Sequence, residues 1–183
     1  MLAYRGIVAH IRQGSVTDVA AVVRLFDRAV EWLVANGRAA QWGTVPFSVQ
    51  PHLVAQISDA AASGAMRVAE LDATDGPGVA PVGAMWLAEA PGYAPPPDRP
   101  ELYLQGLVVD RAWQGHKIGR TLLDHAVEEA RRLGAAQVRL DCWAGGDQAL
   151  VHYYELAGFT RTASVTVANH WPGMVMTRQV SPG

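Results

Sequence analysis

The most informative segment of the chain is Leu107-Val108-Val109-Asp110-Arg111-Ala112-Trp113-Gln114-Gly115-His116-Lys117-Ile118-Gly119-Arg120-Thr121-Leu122-Leu123. Its first residues have the apolar character of a strand, whereas its last residues begin a helical spacing of apolar positions. The short loop between them exposes unpaired backbone N–H groups at a helix N-terminus, where the helix dipole also favours an anion. Gly115 and Gly119 allow the backbone to approach a ligand closely. Lys117 and Arg120 add positive charge, so the segment predicts a phosphate-binding loop.

Strands and helices alternate on both sides of this loop. Before it, the hydrophobic pattern predicts strand 9–13, helix 17–35, helix 52–63, and a hairpin of strands 65–71 and 79–89 joined by the turn 72–78. A proline-rich loop over 91–100 leads to strand 101–110, in which Gln105-Gly106 predicts a bulge. After the loop come helix 118–133, strand 137–143, helix 147–157, and strands 159–168 and 174–180. We therefore predict that residues 1–183 form a single domain of mixed α/β (α+β) class.

The composition excludes several classes of function. The chain has 183 residues with 15 Lys and Arg against 17 Asp and Glu, and this net charge of -2 leaves no basic footprint for nucleic acid. Cys142 is the only cysteine, which excludes a disulfide framework, and a buried place in a strand is expected for it. The histidines lack metal-ligand spacing, so no metal is expected. No apolar run reaches the ~20 residues of a membrane span, and Met1 to Gln13 lacks a signal core, so we expect a cytoplasmic protein.

Two motifs identify a family. The phosphate loop lacks the Gly-x-x-x-x-Gly-Lys-Ser/Thr and Gly-x-Gly-x-x-Gly patterns. It resembles instead the acyl-coenzyme A loop of the GNAT N-acetyltransferase superfamily, Gln/Arg-x-x-Gly-x-Gly/Ala, with Lys117 in place of the first glycine. The segment Asp147-Gln-Ala-Leu150-Val-His-Tyr-Tyr154-Glu-Leu-Ala-Gly158-Phe159 resembles the family helix Asn-x-x-Ala-x-x-x-Tyr-x-x-x-Gly-Phe. Asp147 and Leu150 replace the usual Asn and Ala.

The resemblance implies a fold and a cofactor. The fold is a mixed, mostly antiparallel sheet of six to seven strands, flanked by about four helices and splayed between the fourth and fifth strands. The pantetheine arm of acetyl-coenzyme A (acetyl-CoA) lies in the splay, where it bonds to exposed backbone like an added strand. The residues implied to bind the cofactor are Leu107, Val108, Val109, Gln114, Gly115, His116, Lys117, Ile118, Gly119, Arg120, Thr121, Asp147 and Tyr154.

The resemblance also implies a reaction. Acetyl-CoA donates an acetyl group to a primary amine, either of a small molecule or of a peptide N-terminus, by direct attack of the amine. Tyr154 is implied to return a proton to the departing thiolate. Asp141 and Glu101 are both candidates for the base that deprotonates the amine, and a water-mediated route without a dedicated side chain stays equally open.

Aromatic residues predict the acceptor side of the site. By resemblance, the segment after the first helix and the last hairpin turn form that side, so Trp32, Trp42 and Trp171 are expected to bind the acceptor. Because Lys117 and Asp147 depart from the family pattern, a non-catalytic acyl-CoA-binding module remains as the alternative. A domain without cofactor is the third interpretation, and the chain is expected to act as a monomer or homodimer.

Overall fold

The computed structural model describes residues 9–71, 80–167 and 170–181. Within these ranges, four α-helices flank a seven-stranded sheet. The elements in chain order are β1 Ala9–Gln13, α1 Val19–Ala35, α2 Pro51–Ala62, β2 Met66–Leu71, β3 Gly83–Ala88, β4 Glu101–Val109, α3 Ile118–Arg132, β5 Gln137–Trp143, α4 Ala149–Leu156, β6 Thr160–Val167 and β7 Trp171–Gln179. No helix in these ranges is long and apolar enough to cross a membrane.

The strand order across the sheet is β1-β2-β3-β4-β5-β7-β6. Every neighbouring pair is antiparallel except β4 and β5, which run parallel. This confirms the expected mixed, mostly antiparallel sheet with about four helices. The largest differences from the predicted boundaries concern two strands: β3 begins only at Gly83, and β7 begins at Trp171 because Trp171 pairs with Val167. Several other elements differ by one or two residues at an end. The predicted turn at 72–78 lies outside the described residues.

The start of α1 follows from a short polar segment. The Asp18 carboxylate accepts a hydrogen bond of 2.8 Å from the Ser15 amide, which completes a capping box over the single 3-10 turn Val16–Asp18. Arg12 on β1 donates to the same carboxylate at 2.8 Å and lowers the pKa of Asp18. The regular helix therefore begins at Val19, two residues after the position that the sequence predicts, with its N-terminus tied to the sheet.

Helices cover both faces of the sheet. On one face, α1 and α2 pack on side chains of β2, β3 and β4, including Val68, Trp86 and Val108. On the other face, α3 and α4 pack on β4 and β5 side chains, including Leu104, Leu140 and Cys142. Successive side chains of a strand point to opposite faces of the sheet. Each side chain of β4 and β5 therefore faces either α1 and α2 or α3 and α4.

A bulge in β4 opens the centre of the sheet. Trp86 of β3 pairs with Gly106, but the next residue, Leu87, pairs with Leu104, so Gln105 is an extra residue in β4. The parallel pairing of β4 with β5 runs only from Glu101↔Gln137 to Leu104↔Leu140. Beyond that point β5 stays paired with β7 on its other side. The bulge at Gln105-Gly106 and the splay between the fourth and fifth strands are both confirmed.

Gly106 is required by the close approach of Trp86. A Cβ atom at position 106 would lie 2.2 Å from the Cζ2 and Cη2 atoms of the Trp86 indole. Trp86 is only 4% exposed and its ring also contacts Phe26, with 5.7 Å between the ring centroids. The indole is therefore held in place, and only glycine fits beside it at the bulge.

We expect Gly106→Ala to lower the free energy of unfolding by about 1–3 kcal/mol, because the new methyl group overpacks a fixed indole. Urea denaturation measures this change. Gly92→Ala is the matched control, since a Cβ at position 92 meets no atom within 4 Å. Equal stability of the two variants would contradict the interpretation of Gly106.

Candidate active site

A cavity of about 410 Å³ occupies the splay between β4 and β5. Gln105, Gly106 and Leu107 line it from β4, and Asp141, Cys142 and Trp143 line it from β5. Tyr154 of α4 and several aromatic residues complete the wall. The bulge therefore creates a space that reaches from one face of the sheet toward the other.

Two adjacent residues of β5 enter this cavity from opposite faces. Cys142 packs in the same core cluster as Tyr154, on the face covered by α3 and α4. Asp141 and Trp143 alternate with Cys142 and so belong to the face of α1 and α2. Asp141 is also the first β5 residue after the last parallel pair, Leu104↔Leu140. Its carboxylate thus lies at the vertex of the splay.

Two tyrosines orient the Asp141 carboxylate. The Tyr103 hydroxyl donates to its Oδ1 atom at 2.7 Å, and the Tyr93 hydroxyl donates to Oδ2 at 3.1 Å. Burial, followed by the nearby Asp141 charge, raises the pKa of both tyrosines, so both remain hydrogen-bond donors. A carboxylate has about four acceptor positions, so Asp141 can accept further hydrogen bonds from a ligand in the cavity.

Tyr154 lies on the α3 and α4 side of the same cavity. Its side chain is 6% exposed and contacts Phe159 and Tyr153, with ring centroids 5.9 and 5.2 Å away. Among the described residues, none forms a hydrogen bond with its hydroxyl. Burial raises the pKa of Tyr154 well above its usual value, so the phenol is neutral at pH 7. It is therefore a buried proton donor without a protein partner.

Cys142 is buried, as the sequence predicts, and is not suited to be a nucleophile. Burial, with a smaller contribution from the Asp141 charge, raises the pKa of its thiol to about 12. The thiolate is the nucleophilic form of cysteine, and almost none is present at pH 7.

The loop before α3 leaves backbone donors free for an anion. Thr121 donates the first backbone hydrogen bond of the helix, to the Lys117 carbonyl at 2.9 Å, so the amides of Ile118, Gly119 and Arg120 precede the bonded turns. Lys117 is the N-cap and has φ of 59°. Its ammonium forms no ion pair with any residue in the described ranges. A phosphate at this terminus would meet both the amides and a free cation.

Two side chains of this loop differ from the sequence prediction in their surroundings. The Arg120 guanidinium donates to Asp124 at 2.9 Å and to the Leu156 carbonyl at 3.0 Å, so it is engaged with the helices. A Cβ at Gly119 would lie 2.2 Å from the Tyr153 hydroxyl oxygen. The Tyr153 side chain therefore packs directly over Gly119, a contact between α4 and α3 that no local sequence pattern indicates.

Both departures from the family motifs are accommodated. Lys117 adopts the left-handed conformation that glycine usually takes. Asp147 accepts a hydrogen bond of 3.1 Å from the amide of Ala149, the first residue of α4, in a local turn that an asparagine side chain can form equally. Its carboxylate also forms an exposed ion pair of 2.6 Å with Arg38. Neither substitution disrupts the local structure of the site.

The remaining candidates separate into two groups. Trp42 and Trp171 line the cavity. Trp32 does not, because its ring lies beneath the Arg111 guanidinium, 3.5 Å from the ring centroid. Glu101 lies at the paired end of β4, where its carboxylate accepts hydrogen bonds from Arg139. The structure therefore brings Asp141, and not Glu101, to the cavity. No cluster of metal-ligating side chains occurs in the described ranges.

Structural comparisons agree with this architecture. Salmonella typhimurium yncA, a putative acetyltransferase solved with acetyl-CoA, has a TM-score of 0.62 and 23% identity over 96% of this chain and 95% of its own. The Escherichia coli ribosomal-protein-S18-alanine N-acetyltransferase has a TM-score of 0.61 and 16% identity over 96% of each chain. A GNAT acetyltransferase from Listeria monocytogenes has a TM-score of 0.66 and 19% identity over 97% of this chain and 98% of its own. At these identities the likeness establishes the fold.

Sequence comparison establishes the family. No curated protein sequence matches the chain significantly. A sequence model of the acetyltransferase (GNAT) family, however, matches residues 26–159, which include the phosphate loop, the splayed strands and the tyrosine helix. The protein therefore belongs to the GNAT acetyltransferase family, and acetyl-CoA is its cosubstrate.

Proposed function

We propose that the protein transfers the acetyl group to a primary amine, of a small molecule or of a peptide N-terminus, by direct attack. One observation carries this proposal: Asp141 and Tyr154 line one cavity from opposite faces of the sheet. The reaction needs two proton transfers, one from the amine and one to the departing sulfur. A carboxylate on one side of the splay and a neutral phenol on the other are suited to these two tasks.

The residues around the splay fit acetyl-CoA. The Asp110 amide donates at 2.8 Å to the carbonyl of Val82, the residue before β3, so alternation directs the main-chain groups of Leu107 and Val109 toward the splay. A pantetheine arm can pair with these groups as an added strand does. The amides at the start of α3 and the Lys117 ammonium suit its phosphates. The same loop also contains Gln114, Gly115 and His116.

Val108 and Ile118 contribute to this site through the backbone. Their side chains are buried in the two core layers, at 3% and 1% exposure. When bound, acetyl-CoA supplies a thioester carbonyl that an amine can attack. A β4 amide that faces the splay can stabilise negative charge on the carbonyl oxygen, and loss of one such donor costs about 2.7–4 kcal/mol of barrier in other enzymes.

Asp141 is suited to receive the amine. An alkyl ammonium has a pKa of about 10.4, so it arrives protonated at pH 7 and must lose a proton before attack. The Asp141 carboxylate, fixed by Tyr93 and Tyr103, can hold the ammonium and accept that proton directly or through water. On the other side, Tyr154 protonates the sulfur as the carbon–sulfur bond breaks, and solvent restores its proton.

We expect Tyr154→Phe to lower kcat about 10- to 100-fold, because the phenol no longer supplies a proton to the sulfur. The affinity for coenzyme A should stay within about threefold, since the backbone and loop contacts remain. Release of free thiol from acetyl-CoA with a panel of amines measures turnover, and calorimetric titration measures affinity.

Tyr153→Phe is the matched control, because the Tyr153 hydroxyl lies against Gly119 and outside the cavity lining. It should retain kcat within about threefold of the wild-type value. Equal losses in the two variants, or no loss in Tyr154→Phe, would contradict the assignment of Tyr154. Binding of acetyl-CoA without turnover on any amine would contradict the proposed function as a whole.

We expect Cys142→Ala to retain kcat within about threefold, because a buried thiol with a raised pKa is a poor nucleophile and direct attack does not use it. Initial rates at varied acetyl-CoA and amine should give intersecting lines, as direct transfer in a ternary complex requires. Parallel lines, or acetyl label retained on the denatured wild-type protein, would overturn direct attack.

Lys117→Gly should raise the free energy of unfolding by about 1 kcal/mol, because glycine adopts the left-handed conformation without steric cost. The same variant should bind coenzyme A roughly three- to tenfold more weakly, since it loses an exposed charge beside the phosphates. Lys117→Arg, the control, should keep the affinity and gain no stability. Tight, salt-independent binding by Lys117→Gly would contradict the placement of the phosphates.

A further inference from the structure

Aromatic rings are concentrated around the cavity. Eight of the chain's fourteen Phe, Tyr and Trp residues line it, and Tyr154 is the one that belongs to the α3 and α4 layer. Phe26, Trp42 and Phe47 form one wall, with ring centroids 4.5 to 5.7 Å apart. Trp143 and Trp171 form the other, with centroids 5.6 Å apart. Phe26 also belongs to the buried core, whereas Trp42, Phe47, Trp143 and Trp171 are only partly buried and border the open space.

The two aromatic walls are tied together. The Trp171 indole donates a hydrogen bond of 2.8 Å to the Gln41 carbonyl, which precedes Trp42 in the opposite wall. Tyr93 approaches from the proline-rich loop and bonds to Asp141. The rings are thus held around the carboxylate before any ligand enters, which reduces the entropy lost on binding.

The charge of the cavity has one sign. Asp141 is its only charged side chain, and neither arginine nor lysine lines it within the described ranges. A cation is attracted both by this carboxylate and by the negative faces of the rings. An anionic group would lose its hydration, find no cation and face Asp141, which disfavours it strongly.

From these observations we propose that the acceptor is a primary amine with an apolar or aromatic body and no anionic group, whose ammonium binds at Asp141 between the aromatic walls. This inference rests on the proposed function and narrows it. It excludes free amino acids, whose carboxylate lies two bonds from the amine, and favours their amides and decarboxylated counterparts. A small amine and the apolar N-terminus of a peptide share this chemistry.

Matched amines test the proposal. 2-Phenylethylamine, phenylalaninamide and phenylalanine differ chiefly in the group beside the amine, as do tryptamine and tryptophan. We expect kcat/KM for the amines that lack a carboxylate to exceed that for the free amino acids by at least about 100-fold. A peptide with N-terminal phenylalanine and an amidated C-terminus distinguishes a peptide acceptor from a small-molecule acceptor. Preference for the peptide assigns a protein N-terminus, and preference for the free amines assigns a small molecule.

A binding measurement separates this inference from the proposed function. Titration of the protein with 2-phenylethylamine and with phenylalanine, followed by tryptophan fluorescence without acetyl-CoA, should show saturation only for the amine. Asp141→Asn should weaken amine binding at least about tenfold, as expected for loss of a partly buried charge partner. Asp59→Asn, at an exposed position of α2, is the control and should bind as the wild type does.

The outcomes are distinct. Equal turnover of phenylalanine and 2-phenylethylamine would overturn the acceptor class while leaving acetyl transfer intact. Unchanged amine binding in a folded Asp141→Asn protein would overturn the role of Asp141. Saturable amine binding without acetyl transfer would support the cation site and contradict the proposed function.

Discussion

The extra residue Gln105 in β4 is the constraint on which the site depends. If the pairing with β5 continued past Leu104↔Leu140, side chains would close the centre of the sheet and no cavity would exist. The bulge instead leaves main-chain donors and acceptors of β4 without a strand partner, and such groups require partners. Water or a ligand that pairs like a strand can supply them. Gly106 keeps this arrangement fixed, because only glycine fits against the Trp86 indole.

Because side chains alternate along a strand, the splay exposes groups from both faces of the sheet to one cavity. Asp141 and Cys142 are adjacent in sequence, yet they face different helix layers, and both border the same cavity. The carboxylate therefore meets whatever enters from the α1 and α2 side, whereas Tyr154 lies on the α3 and α4 side. The sheet therefore places the two groups proposed for the two proton transfers on opposite sides of one cavity.

Local patterns in the sequence predicted most of the fold but only part of the site. The bounds of β1 and β5 and the bulge at Gln105 follow from alternation and from a glycine within a strand. Partners far apart in the chain were not predictable in this way. The sequence leaves Glu101 as a candidate base, whereas the structure pairs it with Arg139; it leaves Trp32 as a candidate acceptor-binding residue, whereas the Arg111 guanidinium covers its ring. Each depends on a tertiary contact that no local pattern records.

Lys117, the chain's only lysine, combines strain and charge at one position. A left-handed conformation costs a residue with a side chain roughly 1–2 kcal/mol, and glycine would avoid this cost. Strained conformations persist where the surrounding structure imposes them and the site benefits. Here α3 begins directly after this residue, so the conformation is fixed, and the ammonium has no ion-pair partner in the described part of the chain. In the proposed binding mode, a chain with net charge of -2 would hold a polyanion through a few backbone amides and this one local cation.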